Sequence, residues 1–178
     1  MTSILIKRTA LFVAFVFLWA LLAAVVSHAT SHAATREIVK FSGFEPGTIV
    51  VKTHERRLYY VIDRDHALRF PVGVGRKGQE WAGKAHVEGK YVKPSWEPPR
   101  EIRRDHPGLP KVIAGGDNEN PMGAAALTLR GGEYAIHGTN NPRSIGGFVS
   151  YGCIRMYNSD IVKLYRMVDI GTPVIVER

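Results

Sequence analysis

The chain has 178 residues, of which 45% are apolar and 22% charged. That is enough for one globular domain and leaves no room for a second large module. Lysine and arginine exceed the acids by 24 to 16, a formal charge of +8, and there is one cysteine. A single sulfur excludes an internal disulfide framework and a CxxC zinc knuckle.

Residues 1–34 read as an export signal. Lys7 and Arg8 precede an uncharged apolar run over 10–26, and small residues follow around Ala29 and Ala33. Basic, apolar and small in that order is the pattern of a secretory leader. Seventeen apolar residues also reach the lower limit for crossing a bilayer, so an uncleaved N-terminal membrane anchor is the competing reading. Either way the remainder works outside the cytoplasm, as a periplasmic or otherwise extracytoplasmic protein. Without the leader the charge is +6, from 22 basic and 16 acidic residues. A basic surface suits an anionic partner, but no basic helix or interleaved aromatic motif points to nucleic acid.

Residues 35–45 read as a short linker. Strands are predicted over 48–53 and 58–62, joined by the polar turn 54–57, and again over 67–74. The last ends in Gly73-Val74-Gly75, which lacks the third glycine and following helix of a dinucleotide fingerprint. Residues 75–125 read as a long proline-broken loop, with Trp96, Pro98 and Pro99 in a candidate lid. A hairpin is predicted from 125–129 and 133–137 around Gly131-Gly132. One helix follows, capped by Asn158 or Ser159, with Ile161, Leu164, Tyr165 and Val168 on its buried face. Gly171 ends it, and 172–176 forms a final strand. The fold class is mainly β, a sandwich or barrel-like sheet with one or two helices and no internal repeat.

Cys153 has glycine before it and Arg155 two residues after it. A glycine turn exposes a thiol and frees amides, whereas a buried structural cysteine is normally flanked by apolar residues. Nucleophile and structural cysteine both remain open on this evidence. Five histidines lie beyond residue 34, and His137 closes a predicted strand sixteen residues before Cys153. A loop of that size can return the imidazole to the thiol, as a Cys–His pair requires. Zinc held by His106, His137 and Cys153 has no HxH, HExxH or CxxC spacing behind it, so no metal or other cofactor is expected.

Tyr134-Ala135-Ile136-His137-Gly138-Thr139, then Ser144-Ile145-Gly146 and Ser150-Tyr151-Gly152-Cys153-Ile154-Arg155-Met156, resembles the catalytic signature of the L,D-transpeptidase (YkuD) family. The likeness extends over 46–178, which the resemblance makes the catalytic domain. It implies a cysteine acyltransferase acting on peptidoglycan stem tetrapeptides, with release of D-Ala through a thioester. The acyl group then passes to an amine, forming a 3→3 crosslink or an attachment to an outer-membrane protein. Within that resemblance Cys153 is the nucleophile, His137 the base, and the Gly138 carbonyl its orienting group. Gly152 and Cys153 offer oxyanion amides, and Arg155, Ser150 and Tyr151 line the substrate site.

Two positions depart from the family pattern. Tyr151 stands where many members carry histidine, and Glu80-Trp81-Ala82-Gly83 replaces the usual Thr-Pro-x-Gly, with Trp81 set to alter the cleft wall. The alternatives are a peptidoglycan carboxypeptidase or amidase using the same pair, and a non-catalytic wall-binding module. An intact His137–Cys153 pair argues against the module.

Overall fold

A computed structural model describes residues 37–131 and 134–178. The export segment therefore lies outside the described residues. Short apolar runs become strands: β1 (Glu37–Lys40), β2 (Ile49–Lys52), β3 (Arg57–Val61) and β4 (His66–Pro71). After the two-residue β5 (Val74–Gly75) come β6 (Gly83–Val92), β7 (Ala125–Leu129) and β8 (Ala135–His137). The short strands β9 (Phe148–Ser150) and β10 (Ile154–Arg155) follow, and β11 (Pro173–Glu177) ends the chain.

Nine strands pair in the order β1-β4-β3-β2-β11-β6-β7-β8-β10, with β5 and β9 in a separate parallel pair. The predicted mainly β class holds. β2 lies near the middle and is buried on both faces, which its unbroken Ile49-Val50-Val51 run allows. Ile49 and Val51 enter the main core with Leu58, Phe70 and Ile136. Val50 faces a smaller cluster with Tyr59, Val61 and Ala67. Full burial of each such side chain contributes roughly 1.5–3 kcal/mol.

Two α-helices are described. α1 (Arg100–Asp105) buries no residue, while α2 (Asn158–Met167) packs Ile161 and Leu164 against β7 and β8. Tyr157 occupies the cap position of α2, and neither Asn158 nor Ser159 does. Asn158 is drawn instead into the functional site described below. Gly171, at φ 92°, turns the chain out of the helix toward β11.

Three segments differ from the sequence reading. Residues 37–40 of the presumed linker pair with β4 as an edge strand. The GxG segment forms β5 beside β9 and opens no helix. Residues 83–92, read as loop, form the longest strand, whose first half pairs with β11 and second half with β7. A register shift between Val87 and Gly89 bends it. Its alternating Lys84, His86, Glu88 and Lys90 conceal the pattern, because little of this strand is apolar.

Candidate active site

β8 and β10 run parallel, with Ile136 opposite Ile154 and His137 opposite Arg155. Ile136 and Ile154 are buried in the core, so alternation turns His137 and Arg155 toward the other face of the strands. Cys153 directly precedes β10 and is half-buried. The Arg155 charge acts on both the imidazole and the thiol. Pairing of two short strands thus gathers the three residues that the sequence separates.

The turn before the cysteine is tightly specified. Ser150 Oγ donates to the Cys153 carbonyl at 2.6 Å and accepts from the Gly152 amide at 3.1 Å. Its single proton is committed within the turn, so Ser150 shapes the site and has none left to donate to substrate. The Gly152 amide is likewise engaged within the turn. Gly152 sits at φ 116°, and an added Cβ would lie 2.3 Å from Cε1 of Tyr134. Glycine is therefore required twice at this position, by conformation and by space.

Two residues outside the expected set brace this geometry. Trp81 stacks on Tyr134 with centroids 4.9 Å apart and donates its indole N–H to the Gly152 carbonyl at 3.0 Å. Its departure from the family pattern was visible in sequence, but its partner 71 residues away was not. Asn158 Oδ1 accepts from the amides of Ala124 and Thr139, and Nδ2 donates to the Thr139 carbonyl, each at 3.0 Å. A Cβ on Gly123 or Gly138 would lie 2.2 Å from that oxygen. Asn158 thereby locks the backbone that follows His137. Tyr151 Oη donates to Asp105 of α1.

Burial sets the resting charge state. It pushes His137 down to about 4, helped by the Arg155 charge and weakly opposed by backbone groups of Gly138 and Pro121. Its Nδ1 is buried without a partner at hydrogen-bond geometry. Burial also pushes the Cys153 thiol up, although the Ala135 backbone and Arg155 favour thiolate. The pair therefore rests as neutral thiol and neutral imidazole at pH 7. No hydrogen bond joins the two among the described residues; such contacts often tighten only when substrate binds. Arg155 is half-buried, its Nε has no partner, and none of the ion pairs among the described residues involves it. An uncompensated guanidinium beside a thiol is arranged to receive an anion.

The neutral histidine has a measurable consequence. Above pH 6.5 neither the folded nor the unfolded state protonates it. Between 6.5 and about 4 only the unfolded chain takes up the proton, so stability is lost as pH falls through that window. The interval corresponds to ~3 kcal/mol. Urea unfolding at neutral and acid pH should show a shallower decline for His137→Gln. An identical decline in both proteins would refute the assignment.

The family model of the L,D-transpeptidase catalytic domain (YkuD) matches residues 46–176. The probable L,D-transpeptidase ErfK/SrfK of Escherichia coli is 41% identical over 135 residues, covering 71% of this chain and 42% of that protein. The chain thus spans about two fifths of such curated relatives. The catalytic domain of the Enterococcus faecium L,D-transpeptidase acylated by ertapenem superposes with a TM-score of 0.57 at 22% identity. That match covers 76% of this chain and all of that one. A Brucella melitensis chain described as a probable carnitine operon oxidoreductase is 36% identical, with a TM-score of 0.55 over 84% of this chain and 97% of its own. With the family model spanning most of the chain and its strands bringing the signature residues to one face, the protein belongs to the L,D-transpeptidase catalytic domain family.

Proposed function

We propose that this chain is a cysteine-dependent L,D-transpeptidase of the cell wall, acting outside the cytoplasm on peptidoglycan stem tetrapeptides. The observation that carries the reading is the uncompensated Arg155 cation beside Cys153 and His137. It offers a seat for a substrate carboxylate next to a nucleophile and a base. The Cys153 sulfur attacks the carbonyl preceding the terminal D-Ala, and His137 takes the thiol proton. The Cys153 amide receives the oxyanion, since Gly152 donates its own to Ser150.

Collapse of the tetrahedral intermediate breaks the peptide bond, and His137 returns the proton to the departing amine of D-Ala. The thioester is then attacked by an acceptor amine, whose proton passes to His137 and on to the released thiolate. The backbone at Gly138, held in place by Asn158 through Thr139, orients the imidazole. The acceptor amine belongs to a second stem peptide or to an outer-membrane protein.

Incubation of the purified protein with disaccharide-tetrapeptide, followed by mass analysis, tests this. A crosslinked dimer lacking one D-Ala is the expected product. Tripeptide alone would replace transfer by hydrolysis, and unchanged substrate would remove the proposal.

A further inference from the structure

Residues 97–112 make an excursion pinched at its base, where Trp96 and Ile113 exchange backbone hydrogen bonds at 2.8 Å. Its helix α1 has no buried residue, although Pro98 just ahead of it is buried. Polar contacts tie the helix down. Tyr151 Oη donates to Asp105 Oδ2 at 2.8 Å, and Arg76 Nη2 donates to the same oxygen at 3.2 Å. The Arg76 guanidinium also covers the Tyr151 ring at 3.9 Å, while its backbone amide donates to the Ser150 carbonyl at 2.9 Å. One turn earlier in α1, Glu101 Oε1 accepts from Gln79 Nε2 at 2.9 Å. The tip of the excursion is thus tied to the turn that presents Cys153, two residues beyond Tyr151.

We infer that Asp105 is a positioning residue that acts through Tyr151 and Arg76, latching α1 beside the Cys153 turn and limiting the size of molecule that reaches the thiol. The latch suits that task because it is exposed, and exposed ion pairs are weak and screened by salt. It opens without unfolding the sheet beneath. Hydrogen bonding from Tyr151 holds the Asp105 carboxyl below its ordinary range, so the contact stays charged. The arrangement deepens the proposed function: a bulky glycan-linked acceptor must displace α1, and the closed strap limits entry to the thioester.

Cys153 is the only cysteine of the chain, so alkylation reads access directly. Among side-chain charges only Arg155 acts on the thiol, so changes at Asp105 or Arg76 should leave its ionisation alone. The full protein is treated with iodoacetamide, which is small, and with fluorescein maleimide, which is bulky. Asp105→Asn and Tyr151→Phe should each speed the bulky reagent about 5-fold, with little effect on the small one. Salt near 1 M, where the Debye length is about 3 Å, should do the same to the unaltered protein but not to Asp105→Asn. Asp105→Glu should restore much of the protection. Unchanged rates in both variants, or equal acceleration of both reagents, overturns the latch. The reaction with tetrapeptide is scored separately: no D-Ala release alongside intact size-dependent alkylation would remove the substrate reading and leave the latch standing.

Discussion

Cys153→Ala is expected to abolish acyl-enzyme formation and lower D-Ala release on the order of 10⁴–10⁶-fold. The reason is chemical. The alanine protein retains Arg155 and the Cys153 backbone amide but has no atom to form the thioester. Alanine is also smaller than the thiol and half-buried at this position, so the strand pairing of β8 with β10 should persist. Binding of the tetrapeptide should therefore survive while turnover is lost, which separates the nucleophile from the binding groups. Intact mass gives the sharpest reading, because one cysteine permits one adduct. A carbapenem should add its mass once to the unaltered protein and not to the variant. D-Ala release by Cys153→Ala at the unaltered rate would end the nucleophile assignment.

Gly152→Ala should be among the most damaging single-methyl changes near the site. The backbone there has φ 116°, a conformation that strains any L side chain. The new Cβ would meet Tyr134 at 2.3 Å, and that ring cannot swing aside freely because Trp81 stacks on it. Strain and overpacking together predict a loss of about 2–5 kcal/mol, or a melting temperature lower by roughly 5–15 °C. A shift of the turn would also misplace the sulfur, at a cost of about 10²-fold in acylation rate for each ångström. Gly131→Ala provides the control, since Gly131 has φ 94° but open space around it. It should show the conformational cost alone. Equal melting temperatures for the two variants would mean that the Tyr134 contact is unimportant.

The strands β2, β3 and β7 and the helix α2 were legible because their apolar residues recur with a period that local chain geometry imposes. Residue type and spacing left Cys153 and His137 as open candidates, which the resemblance to the family signature singled out; the parallel register of β8 with β10 puts His137 opposite Arg155. β6 was not legible, since its bulge and charged alternate residues erase the period and its partners, β7 and β11, are distant in sequence. α1 was hidden by neighbouring prolines, which exclude a long helix but permit one of six residues. Asn158 read as a cap because asparagine commonly serves there; its amide instead bonds a loop 19 residues away.

The lone cysteine, the basic surplus and the spacing of histidine to thiol belong to the sequence, because residue identity and local order determine them. Tertiary structure decided the protonation state of the pair, since burial depends on what packs over the ring and the thiol. It also decided what the Gly152 amide bonds, since Ser150 Oγ accepts from it. The role of Tyr151 came from the same source: its partner Asp105 lies 46 residues distant. No local pattern encodes that contact; it exists only where the folded sheet and the excursion carrying α1 meet.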